Sequence, residues 1–109
     1  MATLLQRMDA DRAARMEALR LTVRRDLRAA LQEIVPGIPV TVFGSLTQPG
    51  QFADASDVDI ALTAEPDHIS IYQLIAQLSE RLGRRVDIVL LPESRFREKI
   101  QLLGEKWTL

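Results

Sequence analysis

Apolar and polar positions recur with two different periods along this chain, and the change of period divides it into elements. Residues 3–34 contain no Gly or Pro and are rich in Ala, Leu, Arg, Glu and Gln, all strong helix formers. Met16, Leu19, Val23, Leu27, Ala30, Leu31 and Ile34 recur at steps of three and four and draw one apolar stripe. Arg12, Arg15, Arg24, Arg25 and Arg28 fall largely on the other faces. The spacing predicts one long helix, with Asp9 as the place where it could break. At about 1.5 Å per residue it would run roughly 45 Å, longer than a domain of this size is wide. Its first turns, with Leu4, Leu5 and Met8, then project from the body, and two readings stand for them: contact with a partner, or a frayed end.

Pro36 and Gly37 stop that helix, because Pro lacks an amide donor and Gly accepts a left-handed cap. The run Val40-Thr41-Val42-Phe43, β-branched and aromatic and entered through Pro39, predicts a first strand. Gly44-Ser45 follow, then a helical turn over residues 46–48 that Pro49-Gly50 ends, and a loop over residues 51–56. Val58 to Leu62 is a second strand. Pro66 and Asp67 announce a second helix, with Asp67 at its start and His68 in its first turn. Ile71, Tyr72, Ile75, Leu78 and Leu82 form its inner stripe, and Gly83 caps it. Residues 86–91 predict a third strand, ended by Pro92. Ser94 caps a short last helix through about Leu103, with Phe96, Ile100 and Leu103 inward. The expected architecture is α+β in one domain over residues 1–109, a long N-terminal helix over 1–35 followed by a core over 38–103.

Composition narrows the function classes. A chain of 109 residues can bury roughly 60 to 70% of its unfolded surface, enough to fold alone. With 47% hydrophobic and 27% charged residues it lacks the low hydropathy of a disordered chain. The absence of Cys excludes a disulfide framework and thiolate metal sites. No apolar run approaches a membrane span, and no basic flank and apolar segment open the chain as an export signal would, so the expectation is cytoplasmic. Net charge is −1, but it is unevenly spread. Between Arg28 and Arg81 there is no Lys or Arg, while Glu33, Asp54, Asp57, Asp59, Glu65, Asp67 and Glu80 all fall there. A groove for direct nucleic-acid binding needs a basic stripe; this centre suits cations instead.

The acids are placed as chemistry would place them. Residues i and i+2 of a strand share a face, so Asp57 and Asp59 project side by side, about 6 to 7 Å apart at Cα. At around 4 Å two carboxylates repel by about 1 kcal/mol in water and about 4 kcal/mol at an effective dielectric of 20. Magnesium, a hard divalent ion that takes carboxylate and phosphate oxygens, relieves that repulsion. Asp87 interrupts an apolar strand between Val86 and Ile88. If the third strand lies beside the second, Asp87 joins the pair, and three acids can hold two metal ions about 3.5 to 4 Å apart. Singly, each signal is ordinary. An isolated Asp-x-Asp is more often solvated, Asp87 could merely pair with Arg84 or Arg85, and Gly-Ser is a common turn. Together, each at a strand end, they favour a site.

Phe43-Gly44-Ser45, eleven further residues, Asp57-Val58-Asp59-Ile60, and Asp87 inside an apolar strand resemble the DNA polymerase β-like nucleotidyltransferases. The small size and the ending Phe96 to Glu105 resemble, within that superfamily, the minimal nucleotidyltransferases that serve as antitoxins of HEPN/MNT toxin-antitoxin pairs. The resemblance spans residues 40–103 and implies a small mixed sheet with helices packed on it. It implies that Gly44 and Ser45 bind the phosphates of ATP, that Asp57 and Asp59 bind two magnesium ions, and that Asp87 binds one of them and assists deprotonation of the acceptor hydroxyl. The implied reaction moves AMP from ATP to a tyrosine of a HEPN toxin, which loses its ribonuclease activity. The chain departs from the common pattern after Gly-Ser, x-Ala-Arg-Gly, having Leu46-Thr47-Gln48-Pro49-Gly50 and so no Arg there. Arg95, Arg97 or Lys99 could supply the missing cation. Two alternatives stay open: transfer to a small molecule such as an aminoglycoside, and silencing of a toxin by binding alone. His68 reads as a surface residue, Trp107 and Tyr72 as packing, and the projecting helix as a surface for homo- or hetero-oligomers.

Overall fold

The computed structural model describes residues 3–109; residues 1 and 2 of the expected long helix and single domain lie outside the described residues. Helix α1 (Leu4–Ile34) is unbroken through Asp9 and opens on a capping box in which Thr3 and Gln6 satisfy each other's backbone amides. Its length draws the molecule out to 57 × 28 × 20 Å. Leu4, Leu5 and Met8 are 70%, 72% and 56% exposed at its far end, while Val23, Leu27, Ala30 and Leu31 are buried against the sheet.

Strands β1 (Val40–Phe43), β2 (Val58–Leu62), β3 (Val86–Leu90) and β4 (Glu105–Trp107) form one sheet in the order β3-β2-β1-β4. β1 runs antiparallel to β2 and β4, whereas β2 and β3 are parallel, so the sheet is mixed as expected. The parallel pair requires a crossover, and helix α2 (Ile71–Leu82) supplies it. One sheet face, with Val40, Val42, Val58, Ile60, Leu62 and Val86, packs beneath α1 and α2 as the main core. The other face carries α3 (Arg97–Leu103), seated through Ile100 on Ala61 and Leu91, with Phe43 and Val89 beside them.

Several expectations are corrected. α2 begins after Ser70, not at Asp67, because Ser70 and Gln73 make a capping box that Asp67 cannot match; His68 therefore lies outside the helix, its Nε2 2.8 Å from the Ile34 carbonyl. Leu74, rather than Tyr72, completes the inner stripe, and Tyr72 is 84% exposed. Gly83 does cap the helix, in the left-handed conformation. The seven-residue α3 buries only Ile100; Phe96 precedes its first turn and Leu103 ends it, and both stay exposed. β3 stops at Leu90, where Leu91–Glu93 turn as a 3-10 segment. β4 was not expected. Its Trp107 is buried on the core, with the Arg28 guanidinium 4.5 Å from the ring centre.

Candidate active site

In-register pairing assembles the acids. Phe43 of β1 faces Asp59 of β2, and Asp59 faces Asp87 of β3, so these three side chains form one row across the sheet. Asp57, two residues before Asp59, points to the same side. That side is the α3 face, and each acid is half-buried there.

The turn above the row is held from both sides. β1 runs straight into a 3-10 turn, Gly44–Thr47, and the Thr47 hydroxyl donates to the Gly44 carbonyl at 2.8 Å. Gly44 has φ +76°, and a Cβ added there would stand 2.6 Å from Asp59 Oδ2. Only glycine allows the backbone both that conformation and that approach to the carboxylate. From beneath, Arg20 donates to the Leu46 carbonyl at 2.9 Å, while Glu17 takes two further bonds from the same guanidinium. Arg24 reaches the same carbonyl at 3.4 Å. Sequence reasoning missed Arg20, which is only 7% exposed although it stands one residue after Leu19 of the apolar stripe. A charge at a stripe's margin was the available signal.

The loop before Asp57 has its own brace. Arg84 donates to the Ser56 carbonyl at 2.7 Å and lies 4.7 Å over the Phe52 ring, so it is a structural strut and not the partner of Asp87. The Ser56 hydroxyl accepts from the Ala53 amide at 2.9 Å and closes the loop. Arg85 does remain exposed, and its Nε donates to Asp87 Oδ1 at 3.2 Å.

Burial pushes the Asp59 carboxyl above the ordinary carboxylate range, and the negative charges of Asp87 and Asp57 push it further, against a smaller opposing pull from Arg85. Both neighbours therefore act on Asp59. Among the described residues no group of three His, Cys, Asp or Glu side chains is spaced to hold a metal ion, the row of acids included. The donor set consists of carboxylate oxygens, which suits a hard divalent cation. A larger groove, about 580 Å³, follows the free edge of β3 between Tyr72 and Glu93, but none of the three acids lines it.

Fold and site together define the class. The nucleotidyltransferase domain family model matches residues 24–107, and the chain belongs to that family. It is similar to a crystal structure of a toxin-antitoxin with AMP-PNP, at 25% identity and TM-score 0.60, over 78% of this chain and 73% of that one. It shares its fold with the crystal structure of the toxin-antitoxin MntA-HepT, at 21% identity and TM-score 0.56, over 82% of this chain and 73% of that one. No curated protein matches the sequence. Among the described residues no helix is long and apolar enough to cross a membrane.

Proposed function

We propose that this chain is a minimal nucleotidyltransferase antitoxin that moves AMP from ATP onto a tyrosine of a HEPN-type toxin in the cytoplasm. The observation that carries the reading is the row of Asp59 and Asp87, joined by Asp57, directly beneath the Gly44-Ser45 turn. Support for the substrate comes from the similar toxin-antitoxin structure with AMP-PNP. Support for a toxin partner comes from both toxin-antitoxin neighbours. The exposed Leu4, Leu5 and Met8 offer such a partner an apolar surface.

In this reading Gly44 and Ser45 hold the β and γ phosphates through backbone amides and the Ser45 hydroxyl. Asp57 and Asp59 would hold two magnesium ions and Asp87 one of them, and these would offset the charge that develops on the phosphates. Asp87 also assists removal of the tyrosine proton. The phenolic oxygen bonds to the α phosphorus as the bond to the bridging oxygen of the β phosphate breaks, and pyrophosphate leaves. Arg20 is a positioning residue, fixing the Leu46 carbonyl and so the turn.

The chain, Mg²⁺, labelled ATP and the co-encoded partner should yield a labelled tyrosine on that partner. Asp59→Asn should lower the transfer by about a thousandfold, the scale of several kcal/mol of charge stabilisation. One feature favours a second reading, silencing by binding alone: Gln48 stands where the family pattern has a cation. Undiminished neutralisation by the Asp59→Asn protein would select it.

A further inference from the structure

A slot of about 380 Å³ opens on the α3 face between the Gly44–Thr47 turn and α3. We propose that it receives the nucleobase of the bound triphosphate; this rests on the nucleotide reading above and adds to it the place and manner of base recognition. Phe43, Val89 and Ile100 line its depth. Phe43 is the residue facing Asp59 in the row, so the slot begins one strand spacing, about 5 Å, from the central acid. Gly44 belongs to both places, lining the slot while its backbone abuts the Asp59 carboxylate. A molecule with its phosphates at the turn can thus lay its other end here.

The chemistry of the lining selects that end. A polyphosphate needs cations and amides, and a slot with an aromatic and aliphatic interior offers it little. A flat heteroaromatic ring gains from apolar walls and needs only a few polar groups at its edge. Phe96 and Leu103, left exposed by the short helix, form the outer walls. Arg95 lies 5.6 Å from the Phe96 ring centre, and Phe96 itself stays exposed. Gln48 and Lys99 also line the slot. The Gln48 amide has the donor and acceptor that pair with an adenine edge, and the Lys99 ammonium adds positive charge near the phosphates. Of the three cations that could replace the absent Arg, Lys99 is the one lining this slot.

Calorimetric binding of AMP-PNP and of tripolyphosphate, each with Mg²⁺, tests the assignment in the full chain and in a Phe96→Ala/Leu103→Ala variant. Both side chains are 59% exposed, so the core survives their removal, and an unchanged melting curve checks this. The expected result is AMP-PNP affinity about tenfold weaker in the variant, the scale of losing one stacking partner, with tripolyphosphate affinity unchanged. Equal AMP-PNP affinity in both proteins overturns the slot assignment and leaves the nucleotide reading standing. If the unmodified chain binds neither ligand, the nucleotide reading falls and takes the slot with it. Intact AMP-PNP binding with reduced transfer to the protein partner assigns the slot to the acceptor and overturns the proposal.

Discussion

The two faces of one four-stranded sheet obey different rules. On the face under α1 and α2, Val40, Val42, Val58, Ile60 and Val86 are each no more than 1% exposed and carry no charge. On the other, the same strands turn out Asp59 and Asp87, with Asp57 just before β2, and the covering helix α3 is seven residues long. One face resolves its energetics by excluding water. The other holds like charges together, half-buried, which is unfavourable until something positive arrives. Alternation makes this possible: each strand spends every second residue on stability and leaves the rest to chemistry.

Truncating the packed face should produce the largest change in stability. Ile60 is fully buried between Asp59 and Ala61, and Ile60→Ala should cost about 2–5 kcal/mol by lost transfer energy and a residual cavity. In a domain of this size that lowers the melting temperature by roughly 10–25 °C. A melting temperature within a few degrees of the original would mean the main core lies elsewhere.

One position away along β2 the sign should reverse. With divalent ions chelated, Asp59→Asn should stabilise the fold at neutral pH by about 0.5–1 kcal/mol, the scale of screened repulsion from Asp57 and Asp87. Burial and those two charges raise the Asp59 pKa in the fold, so its contribution to stability is complete below the ordinary carboxylate value of 3.8. That contribution is lost as pH rises through the raised value. Chemical denaturation against pH should show this loss in the original chain and its absence in the variant. Added Mg²⁺ should stabilise the original chain and leave the variant unmoved. A less stable Asp59→Asn protein without metal would show that the acids are structurally satisfied, and the contrast between the faces would fail.

What could be read in the sequence follows the same division. The β-branched run between Pro39 and Gly44 located β1 to the residue, the apolar run opened by Asp57 located β2, and the interruptions at Asp59 and Asp87 were visible because charge breaks an apolar strand. Their meeting depended on β3 lying parallel beside β2, which no local pattern states. β4 escaped because Glu-Lys-Trp is three residues with one aromatic, held in place by its pairing to β1 and by arginines of α1. Arg20 escaped because its burial depends on a carbonyl 26 residues away. Phe96 and Leu103 were misassigned because α3 starts after Phe96, ends at Leu103 and seats only Ile100 on the sheet. The slot follows from that exposure and had no signature of its own.

The smallest expected effect concerns the tie between the two faces. Glu105 of β4 accepts two bonds from Arg24, at 2.7 and 3.0 Å, and one from Trp107 Nε1 at 3.2 Å. Arg24 also reaches the Leu46 carbonyl, so the packed helix, the sheet edge and the Gly44–Thr47 turn share one guanidinium. The Arg24 hydrogen bonds hold the Glu105 carboxyl below its ordinary range, with a smaller lowering from Trp107, although partial burial opposes them. A depressed carboxylate contributes stability that is present above the ordinary value of 4.5 and lost as pH falls through the lowered one. Glu105→Gln should therefore cost less than about 0.5 kcal/mol at neutral pH, discounted for the water that reaches a carboxylate at this edge. At a pH below both values, the variant and the original should converge. Glu17, also depressed by its bond with Arg20, keeps part of the acid sensitivity in either protein. A stability gap that persisted unchanged at low pH would assign the Glu105 effect to packing against Trp107, and the two faces would then be joined by contact alone.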